Sequence, residues 1–154
     1  MVKTVSEKQL WDWMREVPDP EIPIINLVEL GVIRELNVSD NFLEVIITPT
    51  YTGCPAKQLF EDLISDKLRE KGIHDFKIAT RIHPAWTTDW MSDETKEKLM
   101  NDGISPPTMG DKDIPCPQCK STNTKLTSQF GSTPCQSMYQ CKDCLENFNY
   151  FKCF

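Results

Sequence analysis

Basic surface is what this chain has least of. Lys and Arg number 17 against 23 Asp and Glu over 154 residues, a net charge of −6. Gripping a nucleic-acid backbone takes clustered cations on one face, so this balance speaks against nucleic acid as a partner. No apolar run approaches the length of a membrane span, which removes the membrane as well. The opening Met1-Val2-Lys3-Thr4-Val5-Ser6 leads into a charged helix without a signal-peptide core. Histidine is scarce, with His74 and His83 alone. There is no phosphate-cradling glycine loop, no HExxH and no GxSxG, so no familiar enzymatic constellation is in place. Internal repeats and low-complexity tracts are missing too. What remains, 39% hydrophobic and 26% charged, describes a globular domain with a small appendage. Seven cysteines, an odd number containing two CxxC pairs, fit thiols kept reduced better than a disulfide scaffold. A cytoplasmic protein is expected.

Four of those cysteines are the plainest motif. Cys116-Pro117-Gln118-Cys119 and Cys141-Lys142-Asp143-Cys144 each bring two thiolates onto one tight turn. The 21 residues between them, 120–140, are close to the spacing of a ribbon-type zinc site. A four-thiolate shell leaves no position for water or substrate, so this metal would organise the tail without doing chemistry. Zinc is the expected ion; iron is the alternative, because tetrahedral sulfur suits both. Short strands are expected at Thr124–Phe130, Gln136–Gln140 and Phe148–Lys152. So small a segment lacks the core to fold alone, and a structural metal makes up the difference. Cys135 and Cys153 flank the second pair. They read as small buried hydrophobes, with a disulfide or a cluster shared with another chain as the sharper alternatives.

Upstream, Ser6 and Gln9 have capping-box form, and Leu10, Trp13, Met14 and Val17 recur at helical spacing, so a helix is expected over Ser6–Glu16. Pro18-Asp19-Pro20-Glu21-Ile22-Pro23 is a stiff loop. Strands at Val32–Val38 and Phe42–Thr48 follow, joined through Ser39-Asp40-Asn41. A second helix, Ala56–Lys71, would bury Ala56, Leu59, Phe60, Leu63 and Ile64 and end at Gly72. A third strand is expected at Phe76–Ile82, then an aromatic loop at Trp86–Trp90 and a helix at Ser92–Asn101. The fold class is therefore α+β: a small α-β-β-α-β sandwich followed by a zinc ribbon. The expected domains are 1–102 and 116–154, with 103–115, rich in Pro and Gly, as linker. Trp11, Trp13, Trp86 and Trp90 read as core or interface anchors.

Cys54 stands apart from the tail cysteines. It follows Gly53 and precedes Pro55, which suits the first position of the second helix. Unpaired N–H groups and the dipole at such a helix start favour a thiolate. Thr48, Thr50 and Thr52 offer hydroxyls to a bound anion, substrate or cluster sulfur, and Asp19 and Glu21 are candidates to shape the same pocket. The competing reading is a buried cysteine at a helix start with no role. His83 is read as an edge residue rather than a base or ligand.

Three segments carry a resemblance: Asp19-Pro20-Glu21-Ile22-Pro23, Thr48-Pro49-Thr50-Tyr51-Thr52-Gly53-Cys54-Pro55-Ala56 and Pro84-Ala85-Trp86-Thr87-Thr88-Asp89-Trp90. With Phe130-Gly131-Ser132-Thr133-Pro134-Cys135, Cys141-Lys142-Asp143-Cys144 and Phe151-Lys152-Cys153 of the tail, they make the chain resemble the PaaD (PaaJ) family over nearly its whole length. These are accessory proteins of bacterial phenylacetate degradation. The first domain alone is also similar to SufT-type iron–sulfur assembly factors. The resemblance implies a maturation factor for the multicomponent phenylacetyl-CoA epoxidase, acting most readily on the reductase's cluster. Epoxidase reductase or oxygenase subunits and iron–sulfur assembly proteins would be its partners, with a homodimer left open. Cys54 would then hold iron or an iron–sulfur cluster transiently, on a protein that is not itself an enzyme. Two rivals stand beside this: a non-catalytic structural subunit of the epoxidase, and a thiol enzyme using Cys54 as nucleophile.

Overall fold

The computed structural model describes residues 5–50 and 56–152. The chain divides into two units, Met1–Trp90 and Met91–Phe154.

The first unit has the expected α-β-β-α-β order. Helix α1, Glu7–Met14, starts on the capping box, with Gln9 N–H donating to Ser6 Oγ at 3.2 Å and Ser6 N–H donating to Gln9 Oε1 at 3.0 Å. Strands β1 (Ile33–Ser39) and β2 (Phe42–Ile47) form an antiparallel hairpin closed by Asp40 and Asn41, with Asp40 at φ 48°. Helix α2, Lys57–Glu70, then carries the chain to β3, Phe76–Thr80, which pairs parallel with β2. The sheet order is β1-β2-β3. Leu43, Val45 and Ile47 alternate onto the buried face of β2; Leu10 and Met14 of α1 and Phe60, Ile64 and Leu68 of α2 complete the core.

Some side chains depart from the pattern. The buried stripe of α2 repeats every four residues, which rotates Leu59 out to 45% exposure and leaves Leu63 half-buried. Strand β3 stops at Thr80, so Ile82 leaves the sheet and is exposed. Gly72 ends α2 in the left-handed conformation that its lack of a Cβ permits, φ +84°.

The second unit opens with α3, Asp93–Asn101, capped by Ser92. Strands β4 (Ile104–Ser105), β5 (Thr124–Ser128), β6 (Gln136–Cys141) and β7 (Asn147–Phe151) make one sheet in the order β4-β7-β6-β5. Only β4–β7 is parallel. The core is Ile114, Cys116, Cys141, Phe148 and Tyr150, with Tyr139 packed on it. Residues 103–115, expected as a linker, contribute β4 and Ile114 to this unit, and Ser105 Oγ donates to Pro115 O at 2.7 Å. Strand β5 ends two residues early, leaving Phe130 exposed under the Lys152 ammonium, 4.6 Å from its ring centroid.

Candidate functional site

Two CxxC turns, one before β5 and one leaving β6, bring Cys116, Cys119, Cys141 and Cys144 together. Their four Sγ atoms all lie within 4.8 Å of one another. Cys116–Cys144 and Cys119–Cys141 are each 3.6 Å apart, far beyond a disulfide bond of about 2.05 Å. A tetrahedral ion with metal–sulfur bonds near 2.3 Å puts its sulfurs about 3.8 Å apart, so the four thiols fit a metal of zinc's size. Cys116 and Cys141 are buried, Cys119 and Cys144 exposed.

The two turns are built alike. Cys116 N–H donates to Ser121 O at 2.8 Å, and Cys141 N–H to Glu146 O at 2.8 Å. The residue after each second cysteine is left-handed, Lys120 at φ 67° and Leu145 at φ 65°. The Cys144 N–H points at Cys141 Sγ, 3.5 Å away, and is the main cause that lowers the Cys141 thiol to about 7. Between the turns, Asp143 Oδ2 accepts from Ser121 Oγ and Asp143 Oδ1 accepts from Asn123 Nδ2 at 2.9 Å. Lys142 N–H adds a bond to Asn123 O at 2.8 Å. Nothing in the spacing of the residues predicts this side-chain bridge; the only hint is an aspartate inside the second CxxC.

Of the two remaining tail cysteines, Cys135 is buried and lies opposite Lys152, whose N–H donates to Cys135 O at 3.0 Å. Cys153 lies outside the described residues.

The second candidate site is in the first unit. Cys54 and Thr52 fall within 51–55, outside the described residues, as does Pro55; the flanking groups are described. Asp19 is 4% exposed, and its Oδ1 accepts from Glu21 N–H at 2.9 Å and Ile22 N–H at 3.1 Å. Burial raises its pKa, against the pull of those two donors. Glu21 is raised as well, by burial first and then by the Asp19 charge. A ladder of bonds leads from this loop to β2. Asp19 N–H donates to Ile25 O, Leu27 N–H to Val17 O, Val32 N–H to Leu27 O and Thr48 N–H to Val32 O, at 2.8–3.0 Å. The acidic loop, the 26–31 turn and the C-terminal end of β2 are thereby held at one end of the sheet. Thr50 is also buried there.

Thr48 Oγ1 stands out in this unit. It is buried and has no hydrogen-bond partner among the described residues. A buried hydroxyl with no partner at all costs about 1–3 kcal/mol. Thr48 sits just past the end of β2, six residues before Cys54 in the sequence.

The tryptophan loop backs this end. Trp86 Nε1–H donates to Leu30 O at 2.9 Å, and Trp90 packs on Gly31 with Arg34 stacked 3.6 Å from its ring centroid. Gly31 has φ +85°, and a Cβ there would stand 3.1 Å from Trp90 Cβ. His74 and His83 are both exposed.

Comparison with known proteins follows this division. An iron-sulfur cluster assembly protein family model matches residues 7–74, and the PaaD zinc beta ribbon domain matches residues 103–152. An Escherichia coli (strain K12) protein named as one of the subunits of 1,2-phenylacetyl-CoA epoxidase is 37% identical over 151 residues, 94% of this chain and 92% of that one. The chain belongs to the PaaD family. An Fe-S protein maturation auxiliary factor of Porphyromonas gingivalis is 35% identical over 96 residues, 61% of this chain and 90% of its own length, so it resembles the PaaD first unit without the ribbon. A crystal structure of a DUF59 domain of unknown function from Bacillus anthracis shares the fold, with a TM-score of 0.56 and 23% identity over 60% of this chain and 90% of that one. Among the described residues, no helix is long and apolar enough to cross a membrane.

Proposed function

We propose that this PaaD-family protein is an accessory maturation factor for a metal centre of phenylacetyl-CoA epoxidase. Cys54 is the exchangeable ligand of an iron or iron–sulfur cargo, Asp19 and Glu21 shape its pocket, and Thr48, Thr50 and Thr52 line the approach. The observation that carries the reading is the buried Thr48 hydroxyl, without a partner among the described residues, six positions before Cys54, on a residue whose backbone N–H joins a bond ladder through Val32 and Leu27 to Val17 beside the Asp19 loop. A buried polar group without a partner calls for an explanation, such as a functional role, a bound water or an ion. Similarity to an Fe-S protein maturation auxiliary factor supports the same reading for the first unit. The ribbon holds zinc through Cys116, Cys119, Cys141 and Cys144, which supplies folding energy and no open coordination position.

The chemistry asked of the first unit is ligand exchange. A single thiolate can hold an iron centre and release it when a client offers more ligands. Burial raises the Asp19 pKa, which eases protonation of that carboxyl when an anionic cargo binds. Reductase or oxygenase subunits are the clients, and the cytoplasm is the compartment. The reading is tested in cells that depend on the epoxidase. Cys54→Ala should leave the reductase short of cluster and the epoxidase inactive, with subunit levels unchanged; full activity with Cys54→Ala would end it.

A second reading has its own support, since the Escherichia coli relative is named as part of the epoxidase itself. Under it the protein stays in the assembly and orders it. Co-purification in fixed stoichiometry during turnover, with Cys54→Ala fully active, is its signature.

A further inference from the structure

The two halves of the ribbon's metal site come from turns 25 positions apart, Cys116 to Cys141, and something besides the metal joins them. Asp143 lies inside the second turn, yet both its oxygens are engaged by the first: Oδ2 by the Ser121 hydroxyl and Oδ1 by the Asn123 amide at 2.9 Å. Asn123 N–H in turn donates to Ser121 Oγ at 3.1 Å, so the three side chains form one closed unit. None of these side chains offers an atom to the metal.

We infer that Asp143, with Ser121 and Asn123, is a positioning latch that holds the two cysteine turns together and sets how slowly the ribbon gives up its metal. The inference rests on the reading that the four thiols hold zinc. Each turn is already closed by its own backbone, through Cys116 N–H to Ser121 O and Cys141 N–H to Glu146 O. Between the turns stand the Asp143 bonds, the Lys142 N–H to Asn123 O bond and the start of the β5–β6 pairing at Thr124 and Cys141, so parting the turns would break the Asp143 side-chain bonds first. With two sulfurs of one turn released, the latch would keep the other turn within reach, so that the four thiols could close again on the ion before a chelator takes it. Carboxylate-assisted hydrogen bonds are about twice as strong as neutral ones, and two on one carboxylate resist both sliding and opening. The ribbon thus keeps its own zinc in the same chain as a site whose task is to pass metal on. Slow exchange prevents the two thiol sites from trading metals.

The test is zinc transfer from the full-length, zinc-loaded protein to excess chelator, followed by stopped flow. Wild type should carry about one zinc per chain; if it carries none, both the zinc reading and the latch fall. Asp143→Ala should release zinc on the order of tenfold faster, the scale found for outer-shell partners of metal ligands. Ser121→Ala/Asn123→Ala should release it equally fast, and combining it with Asp143→Ala should add nothing further, because all remove one unit. Asp143→Asn, which keeps one acceptor oxygen for Ser121, should fall between. Exposed Lys125→Ala is the control and should match wild type. With cobalt in place of zinc, the absorption of the four-sulfur site should be the same in every variant, since the four sulfur ligands are untouched. Wild-type release from Asp143→Ala would overturn the latch while leaving the zinc reading intact. So would strictly additive effects, or equal acceleration by Lys125→Ala. Should Asp143→Ala fail to load metal, the Ser121→Ala/Asn123→Ala rate decides alone.

Discussion

The second unit gathers four cysteines at one point while the first carries a single one, Cys54, and the described polar groups that accompany them differ. In the ribbon, four sulfurs converge, and the backbone around them is satisfied: matching N–H bonds close both turns, and a carboxylate bridges them. In the first unit, the lone Cys54 comes six residues after Thr48, which lies just past the end of β2. Thr48 Oγ1 is buried without a partner among the described residues, and Asp19 is buried with its acidity suppressed. A saturated site has nothing to gain from exchanging its ligand. An unsaturated one is stabilised by whatever completes it. On the proposed function, the number of thiols and the polar groups that accompany them would separate holding a metal from handing it on.

The sharpest way to break the comparison is to empty the ribbon. Cys141 is a buried member of the second unit's core, so Cys141→Ser should abolish metal binding and unfold β5–β7 as a unit. Apparent zinc-binding energies of about 10–16 kcal/mol in small zinc domains are also folding energies. Amide dispersion by NMR should collapse for 116–151 and persist for 7–80. Persistence throughout would deny the ribbon its metal dependence.

In the first unit the expected effects are smaller. Gly31→Ala places a side chain at φ +85° and 3.1 Å from Trp90 Cβ. The left-handed backbone alone costs about 1–2 kcal/mol. Urea unfolding should show at least that loss, with the Trp90 fluorescence environment altered; an unchanged midpoint would mean that the tryptophan loop yields freely.

Thr48→Val sharpens the contrast from the other side. Removing a buried hydroxyl that has no partner among the described residues, while keeping its shape, should be neutral or stabilising by up to about 1 kcal/mol. Iron or cluster loading at Cys54 should fall at the same time. A destabilised protein, or unchanged loading, would remove Thr48 from the site.

The smallest effect is on pH dependence. Asp19 has a folded pKa above the usual 3.8, so between these values the folded state binds more protons than the unfolded one. Its share of stability is therefore present at low pH and lost as pH rises through the folded pKa. Asp19→Asn keeps the shape and removes the titration. Its stability relative to wild type should improve as pH rises from about 4 toward 7, and a constant difference would contradict the burial effect.

Much of this is legible in the sequence because it rests on local chemistry. The capping box, the hairpin at Asp40-Asn41, the end of α2 at Gly72 and the four-cysteine cluster each follow from residue types at fixed spacing. The expected burial of Leu59 fails because sequence shows a periodic stripe on α2 but not its exact rotation. Ile104, Ser105 and Ile114 look like part of a Pro- and Gly-rich connection; their pairing with β7 and packing on Tyr150 are long-range and leave no local pattern. The Asp143 bridge is hidden for the same reason, since its partners lie about twenty residues upstream. Asp19 is visible as an acidic residue in a stiff loop, whereas its burial comes from folding that loop back through Ile25.

The central claim is that one cysteine exchanges metal while four retain it, and direct analysis of the anaerobically purified protein tests it. Zinc, iron and acid-labile sulfide would be measured in wild type and in Cys54→Ser. The predicted result is zinc at about one per chain in both, with iron and sulfide present in wild type and gone from the variant. Iron and sulfide that persist in Cys54→Ser would contradict it.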